Sequence, residues 1–409
     1  MRTLRKLFVL VGCSAVSCLV GCGGGSSSTP PNVVATTGNN VAPITVNGGP
    51  LGTGVYPDAA FISVTVCVPG SSTECQTVPG ILVDTGSIGL RILSSSLPGG
   101  LSAESSGSNP VLECYPTESG YFWGPVETAD VQIGSETASS VPIQAIGSSD
   151  AVPQGCLDFG VPSSNTQQSL GANGIIGVGV FPQDCGPGCP ADSNLYYECS
   201  SATSCTGMAP SLTQQVQNPI SMFPTDNNGV IVELPQVQGG VEASVSGSLV
   251  FGIGTQSNNG LSGATVYTVD PSTGNFTTTF NGTTYTDESF LDSGSNAYFF
   301  ADSSIPDCTV NSGYYCPSST VNLSATNQGV ANQGAATGSG TVNFSIANAD
   351  NLFNEYPTDN AFSDLGVDAS AVGASNLFDW GLPFFFNRNV YVAIDGATAP
   401  GGTTPYWAY

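Results

Sequence analysis

The stretch Ile81-Leu82-Val83-Asp84-Thr85-Gly86-Ser87 decides the fold of this 409-residue chain, because a second stretch, Phe290-Leu291-Asp292-Ser293-Gly294-Ser295, repeats it. Each is an apolar, strand-like run that ends in a carboxylate within a tight glycine turn. One such motif is weak evidence in a chain with 52 Gly, since an Asp with a Gly two residues later is also ordinary turn chemistry. Two of them, each behind an apolar run, indicate a repeated functional element.

A second element repeats at a matching distance from each Asp. Gly174-Ile175-Ile176-Gly177-Val178-Gly179 follows the first motif, and Phe378-Asp379-Trp380-Gly381-Leu382-Pro383 follows the second. The separation from the Asp to the central Gly of the element is 93 residues in the first half and 89 in the second. The sequence therefore predicts two similar halves. Short runs of Val, Ile, Thr and Phe between turn residues, with little helical periodicity, predict that both halves are all-β.

These motifs resemble those of the pepsin-like aspartic proteases from about residue 51 to the C-terminus. The resemblance implies an all-β, two-lobed fold with a central cleft, to which each lobe contributes one Asp. We predict an N-terminal lobe over residues 51–215 and a C-terminal lobe over 216–409. The implied activity is an aspartic endopeptidase that acts on proteins or peptides and needs no cofactor or metal. The pattern also resembles an uncharacterised family of bacterial lipoproteins.

The resemblance assigns roles to the hydroxyl residues of the two turns. The hydroxyl groups of Thr85 and Ser293 would lock the two loops together across the pseudo-twofold axis. The hydroxyl groups of Ser87 and Ser295 would form hydrogen bonds with the outer oxygens of the two carboxylates.

The pair of carboxylates also has a chemical rationale of its own. Two carboxylates about 3 Å apart cannot both ionise, so Asp84 and Asp292 would share a proton. One then deprotonates a water that attacks the scissile carbonyl, while the other protonates or stabilises the developing oxyanion. Gly86 and Gly294 let backbone N–H groups approach the carboxylates.

The residues that are missing narrow the chemistry further. The sequence has no His, and no Lys after Lys6. Catalysis by Ser-His-Asp, Cys-His or Ser-Lys groups is therefore excluded, as are His-ligated metals. Any side-chain general base beyond the leader has to be a carboxylate.

The charge balance is strongly acidic. Beyond residue 22, only Arg91 and Arg388 oppose 30 acidic residues, which gives a formal charge of −28. Such a surface repels nucleic acid and anionic lipid head groups, although solubility alone would also explain it. We predict no nucleic-acid partner, no membrane contact except through a lipid anchor, and a monomer.

Ten cysteines remain after Cys13, Cys18 and Cys22 of the leader, and an even number in an exported chain predicts disulfides. Two pairs would each close a local loop, and a third would join the two cysteines left over: Cys67 with Cys75, Cys308 with Cys316, and Cys114 with Cys156. Four more cluster in one insert and would pair among themselves, although a zinc site is the alternative there: Cys185, Cys189, Cys199 and Cys205.

The N-terminus predicts export. Three basic residues precede residues 7–21, an apolar segment too short to span a bilayer and typical of a signal peptide. Leu19-Val20-Gly21-Cys22 resembles the lipobox of bacterial lipoproteins, in which Cys22 would be lipidated, and Gly23 favours the outer membrane, on its periplasmic or surface face. A plain signal peptide over residues 1–22 is the alternative. Residues 23–50 are predicted to be a flexible Gly/Ser/Thr/Pro tether.

A flap hairpin is expected between the first Asp turn and Gly134. It would carry Tyr115 or Tyr121 over the cleft, and Tyr115, 19 residues before Gly134, fits the family spacing better. Arg91 stands where pepsins carry a Trp. It could orient the flap Tyr, meet an acidic group of the substrate, or pair with a structural carboxylate.

Two other functions fit parts of the sequence. A non-catalytic binding or structural lipoprotein could have kept the fold, and would fail to cleave unfolded protein at acid pH. A glycosidase also needs only two carboxylates, but three Trp are few for a sugar-binding cleft, and glycan substrates would test it.

Overall fold

The computed structural model describes residues 34–52, 56–331 and 337–409. The predicted signal peptide, the lipidation site Cys22 and residues 23–33 of the predicted tether lie outside the described residues. None of the helices within the described ranges is long and apolar enough to cross a membrane.

The first half of the chain folds into strands because short runs rich in Val, Ile and Thr alternate with Gly and Pro turns. Two one-turn helices, α1 Gln154–Leu157 and α2 Gln167–Leu170, precede its last long buried strand. Its described strands are β1 Val41–Val46, β2 Ala60–Cys67, β3 Cys75–Asp84, β4 Ile88–Leu93, β5 Ser102–Ala103, β6 Ser105–Ser106, β7 Asn109–Pro116, β8 Tyr121–Ile133, β9 Glu136–Ile146, β10 Gly174–Val178, β11 Tyr196–Ser201 and β12 Ser204–Gly207.

The second half follows the same pattern, with one longer helix, α3 Ala349–Glu355. Its described strands are β13 Gly229–Leu234, β14 Val241–Glu242, β15 Val245–Phe251, β16 Val266–Thr268, β17 Phe276–Phe280, β18 Thr283–Leu291, β19 Tyr298–Phe300, β20 Val321–Gln328, β21 Ser339–Ile346, β22 Ala361–Phe362, β23 Gly366–Asp368, β24 Phe378–Trp380, β25 Arg388–Ala393 and β26 Tyr406–Ala408. Short 3₁₀ helices in the two halves span Gly49–Leu51, Ser94–Ser96, Ala191–Ser193, Pro219–Met222, Gln238–Gly240, Ala369–Val372 and Leu382–Phe384.

The two Asp turns occupy equivalent places in the two halves. In the first, β10 lies between β3, to which it is parallel, and β4, to which it is antiparallel, and Gly177 is opposite Asp84. In the second, β24 lies between β18 and β19 in the same orientations, with Trp380 opposite Leu291. The predicted fold class, all-β with two pseudo-symmetric lobes in a pepsin-like arrangement, is confirmed.

A continuous sheet joins the lobes in the strand order β2, β1, β15, β13, β25, β26, β16. The prediction that residues 23–50 form a flexible tether is wrong for residues 41–50, because β1 and a short 3₁₀ helix lie in this range. Ala42, Ile44 and Val46 point inward from β1 and are buried, and Val41 pairs with Val250. The partner strand is about 200 residues away in the chain, so the local Gly- and Asn-rich context concealed it.

The second lobe has an aromatic core on one face of β24. The rings of Phe378 and Trp380 lie 4.6 Å apart, and Phe378 stacks on Phe300 at 5.3 Å. Successive side chains of a strand point to opposite faces of the sheet. Asp379, between these two aromatic residues, therefore points away from the core.

The predicted disulfides are confirmed, and each closes a loop within one half. The insert between β10 and β13 contains two of them, so its four sulfurs are bonded in pairs and the zinc alternative is wrong there. The pairs are Cys67–Cys75, Cys114–Cys156, Cys185–Cys189, Cys199–Cys205 and Cys308–Cys316.

Candidate active site

The two Asp turns hold each other through reciprocal hydrogen bonds. The Thr85 hydroxyl donates to the carbonyl oxygen of Leu291 at 2.7 Å, and the Ser293 hydroxyl donates to that of Val83 at 2.7 Å. Each hydroxyl also accepts the backbone N–H of the other residue, at 2.9 and 3.2 Å. Both side chains are buried. These bonds fix the relative position of the two loops, as the resemblance implied.

Each carboxylate is oriented by its own loop. Asp84 accepts a hydrogen bond from the N–H of the following glycine at 2.8 Å and from the Ser87 hydroxyl at 2.5 Å. Asp292 accepts the corresponding bonds at 2.7 Å and, from Ser295, at 3.0 Å. The two carboxyl groups are thus held in equivalent, preorganised positions.

The two carboxyl groups face each other across a gap that only glycine can border. A Cβ atom on Gly86 would lie 2.6 Å from Cγ of Asp292, and one on Gly294 would lie 2.7 Å from Cγ of Asp84. Burial and then the charge of Asp84, which lies within hydrogen-bonding reach, hold the pKa of Asp292 well above its ordinary value. The arrangement therefore favours one proton shared between two carboxyl groups.

Strands β7 and β8 form the flap, with its turn at residues 117–120. Tyr115, near the end of β7, lies under the guanidinium of Arg91, whose Cζ is 3.5 Å from the ring centroid. Burial raises the pKa of the Tyr115 phenol, and the negative charge of Asp84 adds to the rise against the opposing effect of Arg91. Tyr115 is therefore the tyrosine that the flap brings close to the carboxylates.

Tyr121 starts β8 and faces away from the carboxylates. It is buried in a separate cluster with Cys114, Trp123, Cys156 and Tyr197. The alternative that Tyr121 covers the cleft is therefore wrong, because the strand alternation of β8 directs this side chain into the packing beneath the flap.

The chain is similar to known proteins at two levels. Residues 36–409 match the family described as "Protein of unknown function (DUF3443)". The chain belongs to this family. No curated protein matches it. Among solved structures, it is similar to the aspartic proteinase from Irpex lacteus, with 18% sequence identity, a TM-score of 0.49, and coverage of 90% of this chain and 96% of that chain.

In this DUF3443 member, Arg91 is wholly enclosed in ion pairs. Its guanidinium donates to both carboxylate oxygens of Glu113, at 2.6 and 3.2 Å, and to Asp184 at 2.7 Å. Arg91 and Glu113 are fully buried. The expectation that Arg91 meets an acidic group of the substrate is wrong, because its charge is already balanced twice. Its other two expected roles, pairing with structural carboxylates and orienting the flap tyrosine, both apply.

The same cluster ties the flap to the insert. Asp184 also accepts a hydrogen bond from Tyr196 at 2.6 Å, at the start of β11. Strand β11 pairs with flap strand β7, so β7 is bordered by strands on both sides. The Cys114–Cys156 disulfide adds a covalent link from β7 to helix α1.

Two residues near the carboxylates were not predicted. Tyr56 has a pKa raised by burial first and then by Tyr314, Asp292 and Asp84. Asp379 is buried, and its pKa is raised by burial and by Asp84. A single carboxylate inside the apolar segment from Phe378 to Pro383 was a signal that could have identified it.

A cavity of about 170 Å³ adjoins the first Asp turn. It is lined by Gly86, Ile88, Phe181, Phe290 and Trp407, among others. A larger cavity of about 650 Å³ lies against β1, β2 and β3 on the first lobe and includes neither Asp. The lining of the cavity next to the first Asp turn is mixed, because the aromatic residues are accompanied by polar ones such as Thr273 and Asn275.

Proposed function

We propose that this protein is an aspartic endopeptidase whose catalytic residues are Asp84 and Asp292. The observation that carries the proposal is the opposed pair of carboxyl groups, fixed by the reciprocal bonds of Thr85 and Ser293. Carboxyl groups within hydrogen-bonding reach leave no room for the separation of about 5 Å or more that glycosidases need. The carboxylate pair thus favours peptide hydrolysis over the glycosidase alternative.

The raised pKa of Asp292 favours a single proton on the pair. In the proposed mechanism Asp292 carries that proton, and Asp84 is the base that removes a proton from water as the oxygen attacks the scissile carbonyl carbon. Asp292 gives its proton to the carbonyl oxygen, which yields a neutral tetrahedral diol. The proton on Asp84 then passes to the amide nitrogen, the C–N bond breaks, and Asp292 recovers a proton from the diol.

Cleavage of an unfolded protein at acid pH tests this mechanism. We expect Asp84→Asn and Asp292→Asn each to reduce the rate by at least about 10³-fold, because each removes one half of the acid–base pair. Asp395→Asn is a matched control, since it makes the same charge change at an exposed position outside the site. Circular dichroism checks that each variant is folded. Full activity in either catalytic variant would reject the proposal, and peptide binding without any cleavage by the natural protein would indicate the non-catalytic alternative.

We also propose that the protein is exported and held in the outer membrane by a lipid on Cys22. The proposal is supported by the basic and apolar leader, by the lipobox-like Leu19-Val20-Gly21-Cys22 and by disulfides, which persist in oxidising compartments. A single acyl chain gives only marginal binding, so stable anchoring needs the several chains of a bacterial lipoprotein.

A further inference from the structure

Asp379 is a third carboxyl group at the candidate active site. It is only 5% exposed, and its Oδ1 atom has no hydrogen-bond partner within the described part of the chain. Its neighbours along β24, Phe378 and Trp380, fill the aromatic core, so Asp379 points to the other face of the sheet. A buried polar atom without a partner costs free energy, which makes such an atom a site for an incoming group.

The surroundings of Asp379 place it beside the catalytic pair. The Ser295 hydroxyl, which donates to Asp292, also interacts with the Asp379 carboxyl group. The charged groups that face Asp379 are Asp84, Asp292 and, from the exposed tip of the flap, Glu118. One serine hydroxyl therefore separates the third carboxyl group from the catalytic ones, and all the facing groups are acidic.

Within the described part of the chain, the charged groups that act on Asp379 are carboxylates. Arg91 is enclosed by Glu113 and Asp184. Arg388 donates to the carbonyl oxygen of Phe384, and its guanidinium lies 4.4 Å from that ring. Burial raises the pKa of Asp379 well above its ordinary value.

We propose that Asp379 binds the cationic side chain of a substrate residue next to the scissile bond, and that lysine is preferred over arginine. The proposal rests on the proposed endopeptidase function. An ammonium group is a compact charge that one free carboxylate oxygen can accept, whereas a guanidinium binds best to two parallel acceptors.

The first test compares peptides that differ only in one residue, lysine or the uncharged norleucine, on either side of the cleaved bond. The natural protein should show a ratio of kcat/KM for lysine over norleucine of about ten- to hundredfold at the better position, as for a charge-assisted hydrogen bond. The ratio should fall close to one in Asp379→Asn. A ratio near one in the natural protein, or an unchanged ratio in the variant, would overturn the inference while leaving the proposed function intact.

A second measurement needs no variant. Binding of lysine should require ionised Asp379, so the lysine preference of the natural protein should grow as the pH rises above the ordinary aspartate pKa of 3.8. The kcat/KM of the matching arginine peptide should stay below that of the lysine peptide. A preference that does not change with pH would contradict the assignment.

Calorimetry separates the inference from the proposed function. If no peptide is cleaved at all, binding of the lysine and norleucine peptides to Asp292→Asn decides the question. Tighter binding of the lysine peptide, lost when Asp379→Asn is added, would support the cationic site although the endopeptidase proposal fails. Equal binding of the two peptides, or none, would overturn the site as well.

Discussion

Replacement of Arg91 by methionine tests the buried ion pairs behind the flap. Arg91→Met keeps most of the apolar stem but leaves Glu113 and Asp184 without their shared cation. Removing one partner of a buried ion pair costs about 3–5 kcal/mol, and the lost stacking on Tyr115 adds about 1 kcal/mol. At about 2.1 cal/mol/K per residue over the roughly 370 described residues, the total of about 4–6 kcal/mol lowers Tm by about 5–8 °C.

The loss of stability in Arg91→Met should be larger at neutral than at acid pH. Burial raises the pKa of Glu113 above its ordinary value of 4.5, and Arg91 opposes that rise. Without Arg91 the folded-state pKa of Glu113 rises further, so its contribution to stability is retained below pH 4.5 and lost as the pH climbs above it. The deficit of Arg91→Met should therefore be large at pH 7 and reduced to the packing and stacking loss at pH 3.5.

Thermal unfolding followed by circular dichroism at pH 3.5 and pH 7 measures both effects. Arg388→Met is the matched control, because it removes the same charge from the chain and also removes a guanidinium that lies over an aromatic ring. The backbone carbonyl oxygens of Phe384 and Phe386, to which its guanidinium donates, do not titrate, so its effect on Tm should change less between the two pH values than that of Arg91→Met. Equal deficits for Arg91→Met at pH 3.5 and pH 7, or no deficit at pH 7, would refute the assignment of Arg91 as a buried counter-ion.

Two further predictions concern the whole chain. We expect Tm and cleavage both to be highest on the acid side of neutrality, because burial raises the pKa values of Asp58, Asp292 and Asp379 and only two Arg oppose 30 acidic residues beyond the leader. The stability that such raised pKa values contribute is complete below the ordinary aspartate pKa of 3.8 and is lost as the pH rises through the folded-state pKa values. A Tm and a cleavage rate that are both highest near pH 7 would contradict this prediction. We expect Cys22→Ser to leave the membrane fraction or to stall before processing, and a processed Cys22→Ser protein still found with membranes would exclude the lipid anchor.

The parts of the site that could be predicted from sequence are those encoded locally. Each Asp lies in a four-residue turn whose glycine and hydroxyl residues supply its own hydrogen bonds, so motif and geometry coincide. The crossing segments around Gly177 and Gly381 could be found because they repeat at matching spacing. The fold class followed from the same repeat, together with the strand-like composition.

The parts that could not be predicted depend on distant partners. Strand β1 is completed by β15, and nothing in Val41–Val46 identifies a partner so far along the chain. Asp184, which binds Arg91 together with Glu113, is 93 residues from Arg91 in the chain. The sequence distinguishes Asp379 as a carboxylate within an apolar segment, but only the fold shows that it lies near Asp292. Single-sequence patterns specify the local conformation but not which distant side chains balance a buried charge.

The attachment of flap strand β7 to the insert has a consequence for how material reaches the carboxylates. A hairpin with a free edge can lift as a lid, but β7 is hydrogen-bonded to β11, disulfide-linked through Cys114 and held by Arg91 through Glu113. Lifting it would break a strand pairing and expose a buried ion pair, so only the turn at residues 117–120 is left to move. On the proposed endopeptidase function, we therefore expect the protein to cleave unfolded segments and peptides and to spare intact neighbouring proteins.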